Sequence, residues 1–281
     1  MRKYHFEICN TKITFAAENE LIFDRDASAF QNKSQNSDIE ICCEVKHTLL
    51  PEGQLLGKGK LKNAYEHKGS FSRTLIYDNE IYASMKYCPK EMSKAQLLIK
   101  DSTWEWATDP YHLWTTAALP TLLLYHRALI FHASYISHNG NGILFTAPSG
   151  TGKSTQAELW HKCRGATVLN GDKAGVSFRD KLMAHSVPFS GTSGICENVS
   201  LPLKAIVVLS KAQENKARRL SPSEAVIALC ENLFSDQLIP QEWSMTLQLI
   251  LDIVTEIPVY HLACTADERA VRALEEKLYN Y

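Results

Sequence analysis

Ile143-Leu144-Phe145-Thr146-Ala147-Pro148-Ser149-Gly150-Thr151-Gly152-Lys153-Ser154-Thr155 is the stretch from which the rest of the chain is read. Three apolar residues that form a strand run into a Gly-rich turn, and the turn opens a helix. Gly150 and Gly152 are free to take positive φ, which turns successive backbone N–H groups toward an anion. Lys153 reaches the β- and γ-phosphates of a nucleotide, and the Ser154 hydroxyl is a ligand type that Mg²⁺ accepts. Ser149, Gly150, Thr151, Gly152, Lys153, Ser154 and Thr155 are therefore the candidate nucleotide-binding residues. The general pattern begins with Gly, and this chain has Ala147 there.

Working outward, Ala128 to Ser137 and Gly142 to Thr146 are two apolar segments joined by His138-Asn139-Gly140-Asn141, a hairpin signature. The loop is thus fed by one arm of an antiparallel pair. A helix follows from Lys153 to about Cys163, then strands at Thr167-Val168-Leu169, Gly175 to Phe178, Met183 to Val187 and Ala205 to Leu209, which predicts a mixed sheet. Ser221-Pro222-Ser223-Glu224 supplies an N-cap, Pro in the first turn and Glu at the third position of a helix to about Leu233. A helix over roughly Glu242 to Val254, a strand at Pro258 to Leu262 and a helix from Asp267 to Tyr279 complete this half.

Toward the N-terminus the period is that of strands: Tyr4-Phe6-Ile8, Ile13-Phe15, Ile39 to Val45, and a pair around Leu75-Tyr77 and Ile81-Tyr82 that straddles the turn Asp78-Asn79. Gly and polar residues near 52 to 70 read as loops. Trp104 and Trp106, two apart, share one face of a strand and fit a core. From Pro110, a helical stripe of Tyr111, Leu113, Trp114, Ala117, Ala118 and Leu122 predicts one long helix toward His126. The division expected is a β-rich domain over 1–108 and a P-loop catalytic domain over 109–281.

Thirty basic residues against thirty-one acidic ones give a formal net charge of −1, which offers no field for nucleic acid or anionic lipid. The most apolar long stretch, Leu119 to Phe131, contains Pro120, His126 and Arg127 and is too short for a bilayer. Eight cysteines lack Cys-x-x-Cys spacing, and the chain starts without a signal-peptide core, so reduced thiols and a cytoplasmic location are expected. No structural metal site is expected from the histidine and cysteine spacing.

Phosphoryl transfer requires a phosphate cradle, a cation, and a group that orients or deprotonates the acceptor. Val168-Leu169-Asn170-Gly171-Asp172 is the downstream apolar strand that ends in a carboxylate, whereas Ala205 to Leu209 ends in Ser210 and Lys211. Asp172 is the candidate metal partner, or the base toward an acceptor hydroxyl, against the alternative of a simple Gly-Asp turn. His132 lies in the strand that pairs with the loop strand; a lone strand histidine is more often core, but its position beside the loop makes it a candidate. Gly191-Thr192-Ser193-Gly194 is a second small-residue loop, suited either to donate backbone N–H groups or merely to connect.

These residues together, from the His132-Ala133-Ser134 strand through the Asn139-Gly140 hairpin and the loop to Asp172, resemble the C-terminal catalytic domain of HPr kinase/phosphorylase and its relatives. The likeness continues more weakly to the C-terminus, resting there on Pro188 to Leu203 followed by Lys204-Ala205-Ile206-Val207. It implies an α/β (α+β) fold, a mixed-sheet PEP-carboxykinase/HPr-kinase-like nucleotide domain preceded by a small β-rich domain. It also implies that Lys153 and Ser154 bind ATP and Mg²⁺, that His132 lies near the transferred phosphate, that Asp172 belongs to the catalytic acidic site, and that the acceptor is a serine hydroxyl. Such kinases commonly carry two adjacent acidic residues where this chain has Gly171-Asp172, and residues 1–108 do not resemble the N-terminal domain of a true HPr kinase. The catalytic set expected is Asp172, His132 and Lys153, with Ser154 and Asp172 at the metal. The function expected is an ATP/Mg²⁺-dependent kinase acting on a hydroxyl of a peptide, small protein or small molecule, and an oligomer is compatible with the sequence. A nucleotide-responsive peptide-binding protein without phosphotransfer is the alternative, and a decarboxylating carboxykinase is the weaker third.

Overall fold

The computed structural model describes residues 1–178 and 180–279. The chain forms two compact units, one of Met1–His126 with Ser235–Met245, the other of Arg127–Phe234 with Thr246–Tyr281. Both are built on a large mixed sheet with helices, an α+β architecture.

The first unit contains strands β1 (Arg2–Ile8), β2 (Thr11–Ala17), β3 (Ile39–Lys46), β4 (Gln54–Lys58), β5 (Lys62–His67), β6 (Ser70–Tyr77), β7 (Glu80–Cys88) and β8 (Glu91–Lys100), in the order β1-β2-β3-β8-β7-β6-β5-β4. β2, β3 and β8 run parallel, and the remaining neighbours pair antiparallel. Asp78 and Asn79 both take positive φ between β6 and β7, the geometry of the tight hairpin turn their types favour. Helix α1 (Arg25–Ser28) is one turn capped by Asp24.

Three readings of this region are corrected. The segment 52 to 70 forms the edge strand β4 and its neighbour β5, whose polar residues are tolerated because the strands are held by backbone pairing. Trp104 and Trp106 lie in a single helical turn, α2 (Trp104–Ala107), and Trp106 is 45% exposed and stacked on His112 at 4.4 Å. The long helix from Pro110 is two helices, α3 (Pro110–Thr116) and α4 (Leu119–Tyr125), broken at Ala118 with φ 51°. Pro120 lacks the N–H that a continuous helix needs at that turn, so the helix restarts. The apolar stripe is still buried: Trp114 of α3 meets Phe6 and Phe15 edge-on at 5.1 and 5.6 Å.

The second unit has β9 (Ala128–His138), β10 (Asn141–Thr146), α5 (Lys153–Arg164), β11 (Thr167–Asn170), β12 (Lys173–Phe178), β13 (Leu182–Ser186), β14 (Ser200–Lys211), β15 (Lys216–Arg219), α6 (Pro222–Glu231), α7 (Pro240–Glu256), β16 (Val259–Cys264) and α8 (Glu268–Tyr279). The division between units falls inside α7, after Met245. The predicted hairpin forms, with Asn139 and Gly140 at positive φ, and so does the capping box of α6. The strand order β10-β9-β12-β13-β14-β16-β15 is closed on itself by a parallel pairing of β10 with β14, so β9, β12, β13, β14 and β10 form a circuit. Over the sheet lie α5 and α8, whose Ala157, Trp160, Val271 and Leu274 share a buried core with Ile136, Phe145, Val207 and Leu262. Each large side chain sequestered this way contributes about 1.5–3 kcal/mol.

In the first unit, Arg73 of β6 is 5% exposed and its guanidinium pairs with Asp236 and Glu242, while Tyr87 donates to Glu242 Oε1 at 2.6 Å and Tyr125 at 3.2 Å. This network fastens the 235–245 segment to the sheet of its own unit. Arg73 is the nearer cation to the buried Glu242 and to the half-buried Asp236, which Lys62 also approaches at 3.7 Å, so its removal leaves charge on the buried carboxylate poorly compensated. Arg73→Met is therefore expected to lower stability by about 3–5 kcal/mol. Urea unfolding measures it, and a loss under about 1 kcal/mol would mean that water reaches the carboxylates.

Candidate functional site

Strand β9 assembles the site. On one edge it pairs with β10, whose last residue Thr146 lies opposite Ala133. On the other edge it pairs first with β11, through Ser137, Ile136 and Tyr135, then with β12, where His132 lies opposite Lys173. Gly171 and Asp172 fill the gap between β11 and β12, and the Asp172 carbonyl accepts the Ala133 N–H at 3.1 Å. Asp172 and the residue that enters the phosphate-type loop therefore flank the same β9 position, two strand spacings or about 10 Å apart in the backbone. This explains why the carboxylate comes so soon after the loop in sequence: β11 returns along the strand that carries the hairpin.

The loop has the backbone its glycines predict. Gly150 has φ 75° and Gly152 φ 120°; space is open at Gly150, where an added Cβ meets nothing within 4 Å, so conformation rather than crowding requires glycine. Gly152 is the N-cap of α5, and no side chain caps this twelve-residue helix. Ser149, Gly150, Ser154 and Thr155 are exposed, and Thr151, Gly152 and Lys153 are half-buried. The Lys153 ammonium donates to the Ala147 carbonyl at 3.0 Å, folding back over the loop. A helix end without a side-chain cap, a lysine above it and an adjacent hydroxyl are donors of the kind that can hold an anion.

The turn before Asp172 is fixed by Asn170, which is fully buried. Its Oδ1 accepts the N–H groups of Asp172 at 3.0 Å and Lys173 at 3.1 Å, and its Nδ2 donates to the Val187 carbonyl at 3.0 Å. Two hydroxyls converge on the next carbonyl: Ser134 Oγ donates to Gly171 O at 3.0 Å and Ser154 Oγ at 3.4 Å. The last contact joins the loop helix to the acidic turn, so Ser154 and Asp172 occupy one neighbourhood.

The same proximity couples the charges electrostatically. The His132 pKa lies below 6.5, chiefly through burial, then through the nearby ammonium of Lys173, with Asp172 pulling upward and Lys153 downward. Lys153 is likewise lowered, first by burial, against the upward pull of Asp172 and with the added push of Lys173. His132, Lys153, Asp172 and Lys173 thus form one charged cluster. The His132 ring packs edge-on against Phe234 at 5.1 Å, and the backbone N–H of His132 donates to the Asn232 carbonyl at 2.9 Å.

The sequence reading missed Lys173, Asn170 and the packing of the 191–194 loop. Lys173 forms an ion pair with Asp172 and lies over Phe234 at 4.8 Å and Phe189 at 5.1 Å. Asn170 was legible as an Asx turn, since Asn before Gly-Asp is a turn type with its own acceptor. The 191–194 loop is neither a free connection nor a distant donor: an added Cβ on Gly191 meets Asp172 Cβ at 2.6 Å, and one on Gly171 meets Ser193 Oγ at 2.1 Å and Cβ at 2.5 Å. Ser193 occupies the volume where a second acid at position 171 would begin, so a paired carboxylate does not fit this loop conformation.

Gly171→Asp is accordingly expected to destabilise by about 1–3 kcal/mol through overpacking. Ser193→Gly in the same chain removes both clashing atoms and should recover most of the loss in thermal melts; equal destabilisation in both backgrounds would place the strain elsewhere. A second expectation concerns pH. Because the folded-state pKa of His132 is lowered, its contribution is present above 6.5 and is lost as pH falls through that value toward the folded pKa. Between pH 7.5 and 5.5 the urea midpoint of wild type should fall further than that of His132→Gln, and parallel curves would contradict the assignment.

The family described as "ScmC: SynChlorMet cassette protein ScmC" matches residues 114–278. No curated protein matches the chain. A solved structure of the Hpr(Ser) kinase/phosphatase from Coxiella burnetii aligns over 54% of this chain and 93% of that one, at 12% identity and a TM-score of 0.32. A superposition that loose transfers neither fold detail nor chemistry.

Proposed function

The chain belongs to the ScmC family, since the match spans more than half its length, and from its site we propose an ATP- and Mg²⁺-dependent kinase that transfers the γ-phosphoryl group to a hydroxyl. The observation that carries this reading is the convergence of the uncapped α5 N-terminus, Lys153, Ser154, Asp172 and His132 in one charged cluster. The residues suit the cofactor. The Ser154 hydroxyl and the Asp172 carboxylate, whose side chain is 33% exposed, are hard oxygen donors of the kind Mg²⁺ takes. Among the described residues no group of three or more His, Cys, Asp or Glu could hold a metal by itself, and Mg²⁺ is commonly bound by one or two protein oxygens together with phosphates and water.

The division of labour follows from charge. When bound, the magnesium nucleotide supplies the phosphoryl group and neutralises part of its charge. Backbone N–H groups from Ser149 to Thr155 would hold phosphate oxygens, and Lys153 would leave the Ala147 carbonyl to meet the β- and γ-phosphates. Asp172 would orient the acceptor hydroxyl, accept its proton as oxygen bonds to phosphorus, or hold the cation. His132, kept neutral by burial and two ammonium groups, would hydrogen-bond near the transferred group without adding charge. The acceptor class is a serine of a peptide or small protein, or a small-molecule alcohol; nucleic acid and membrane are not proposed as partners, and no helix of the described residues is long and apolar enough to cross a membrane. The cytoplasm is the compartment we propose, and an oligomer is compatible with this reading. The eight cysteines are free thiols.

One observation favours a second reading, a nucleotide-responsive peptide-binding protein without transfer: the ion pair that Lys173 makes with the sole carboxylate of the turn. Radiolabelled ATP, Mg²⁺ and a library of serine-containing peptides separate the two. Asp172→Asn is expected to reduce transfer by about 10²-fold or more while nucleotide affinity is retained. Lys153→Ala should weaken nucleotide binding by about tenfold. Saturable ATP binding with no labelled product in wild type establishes the second reading, and full transfer by Asp172→Asn removes that residue from the reaction.

A further inference from the structure

Lys173 is placed as few surface lysines are. Its side chain is 14% exposed, its ammonium pairs with the Asp172 carboxylate, and the same ammonium lies 4.8 Å from the Phe234 ring centre and 5.1 Å from that of Phe189. The two rings meet each other at 5.5 Å and 68°, forming a corner around it. The backbone leaves it little choice of position: its N–H is held by Asn170 Oδ1, and β12 fixes it opposite His132. The ammonium therefore has two partners of different kinds, an anion on one side and π faces on the other. A divalent cation needs the anion and has no use for the rings.

Resting on the kinase reading of the site, we infer that Lys173 is a resident counter-ion that holds the metal position of Asp172 and gives it up by withdrawing onto the Phe189–Phe234 corner when a divalent cation binds. Two like charges cannot share one partly buried carboxylate without strong repulsion, so entry of the metal and retention of the ion pair exclude each other. The aromatic corner lowers the cost of release because it keeps a favourable contact for the displaced ammonium. No bond is made or broken; the exchange is of ionic partners. Its effect is regulatory: at low divalent concentration the carboxylate stays paired with lysine, and the site fills at a higher metal concentration than a bare carboxylate would require.

The test uses Mn²⁺ alone, read by electron paramagnetic resonance and water proton relaxation on the full chain without nucleotide. Lys173→Met, which keeps a long apolar stem against the rings, should bind Mn²⁺ about tenfold more tightly than wild type. Lys173→Arg keeps the charge and should bind no more tightly than wild type, and Lys173→Met combined with Asp172→Asn should lose the gain. Lys173→Gln serves in the same comparison if the methionine variant does not fold. Equal or weaker Mn²⁺ binding by the neutral variants, or a gain that survives Asp172→Asn, overturns the inference. The readout needs no phosphate transfer, so it separates from the kinase reading: the expected Mn²⁺ pattern in a protein that never transfers phosphate keeps the exchange and rejects the kinase, whereas transfer with unchanged Mn²⁺ affinity does the reverse.

Discussion

The hydrogen bond from the Ala133 N–H to the Asp172 carbonyl is the constraint on which the site depends. It falls where one edge of β9 passes from β11 to β12, while the other edge is still paired with the strand that enters the glycine loop. Backbone pairing on both edges leaves β9 no freedom to slide, because both its faces are packed and a shift by one residue would drive Phe131 and Tyr135 into the places that Ile130, Ser134 and Ile136 fill. Side chains then refine what the strands impose: Asn170 shapes the turn, and Ser134 and Ser154 grip its carbonyl.

Charge in the site is organised by scarcity. One carboxylate faces two lysines and a histidine, and the histidine answers by staying neutral. The ammonium groups are turned inward, Lys153 to a backbone carbonyl and Lys173 to the acid and the rings. These internal contacts satisfy the cations, and each is of a kind that a phosphate or a metal ion can replace.

Much of this was legible in the sequence, for physical reasons. The loop announces itself because positive φ selects glycine and an uncapped helix start needs no side chain, which is a local demand written in local residues. The hairpin at Asn139-Gly140 and the capping box at Ser221 and Glu224 are local in the same sense. Asp172 was found because a strand ending in an acid is a contiguous pattern. Lys173 was not, because its meaning lies in Phe189 and Phe234, which are remote in sequence. The fit of Ser193 against Gly171 is a contact between loops and has no one-dimensional trace. Trp104 and Trp106 misled because two residues two apart satisfy a strand period by accident when the segment is one helical turn long, and the stripe after Pro110 hid the break at Ala118 because burial continues across it.

The pairing of β10 with β14 carries a kinetic consequence. Ile143 meets Ala205 about sixty residues downstream, and in parallel, so the circuit closes only after everything between them has been laid down. Contacts of such long range are slow to form, because loop-closure entropy is lost before they repay it. The glycine loop follows directly on the end of β10, so it takes its final place beside the sheet only as that last seam zips.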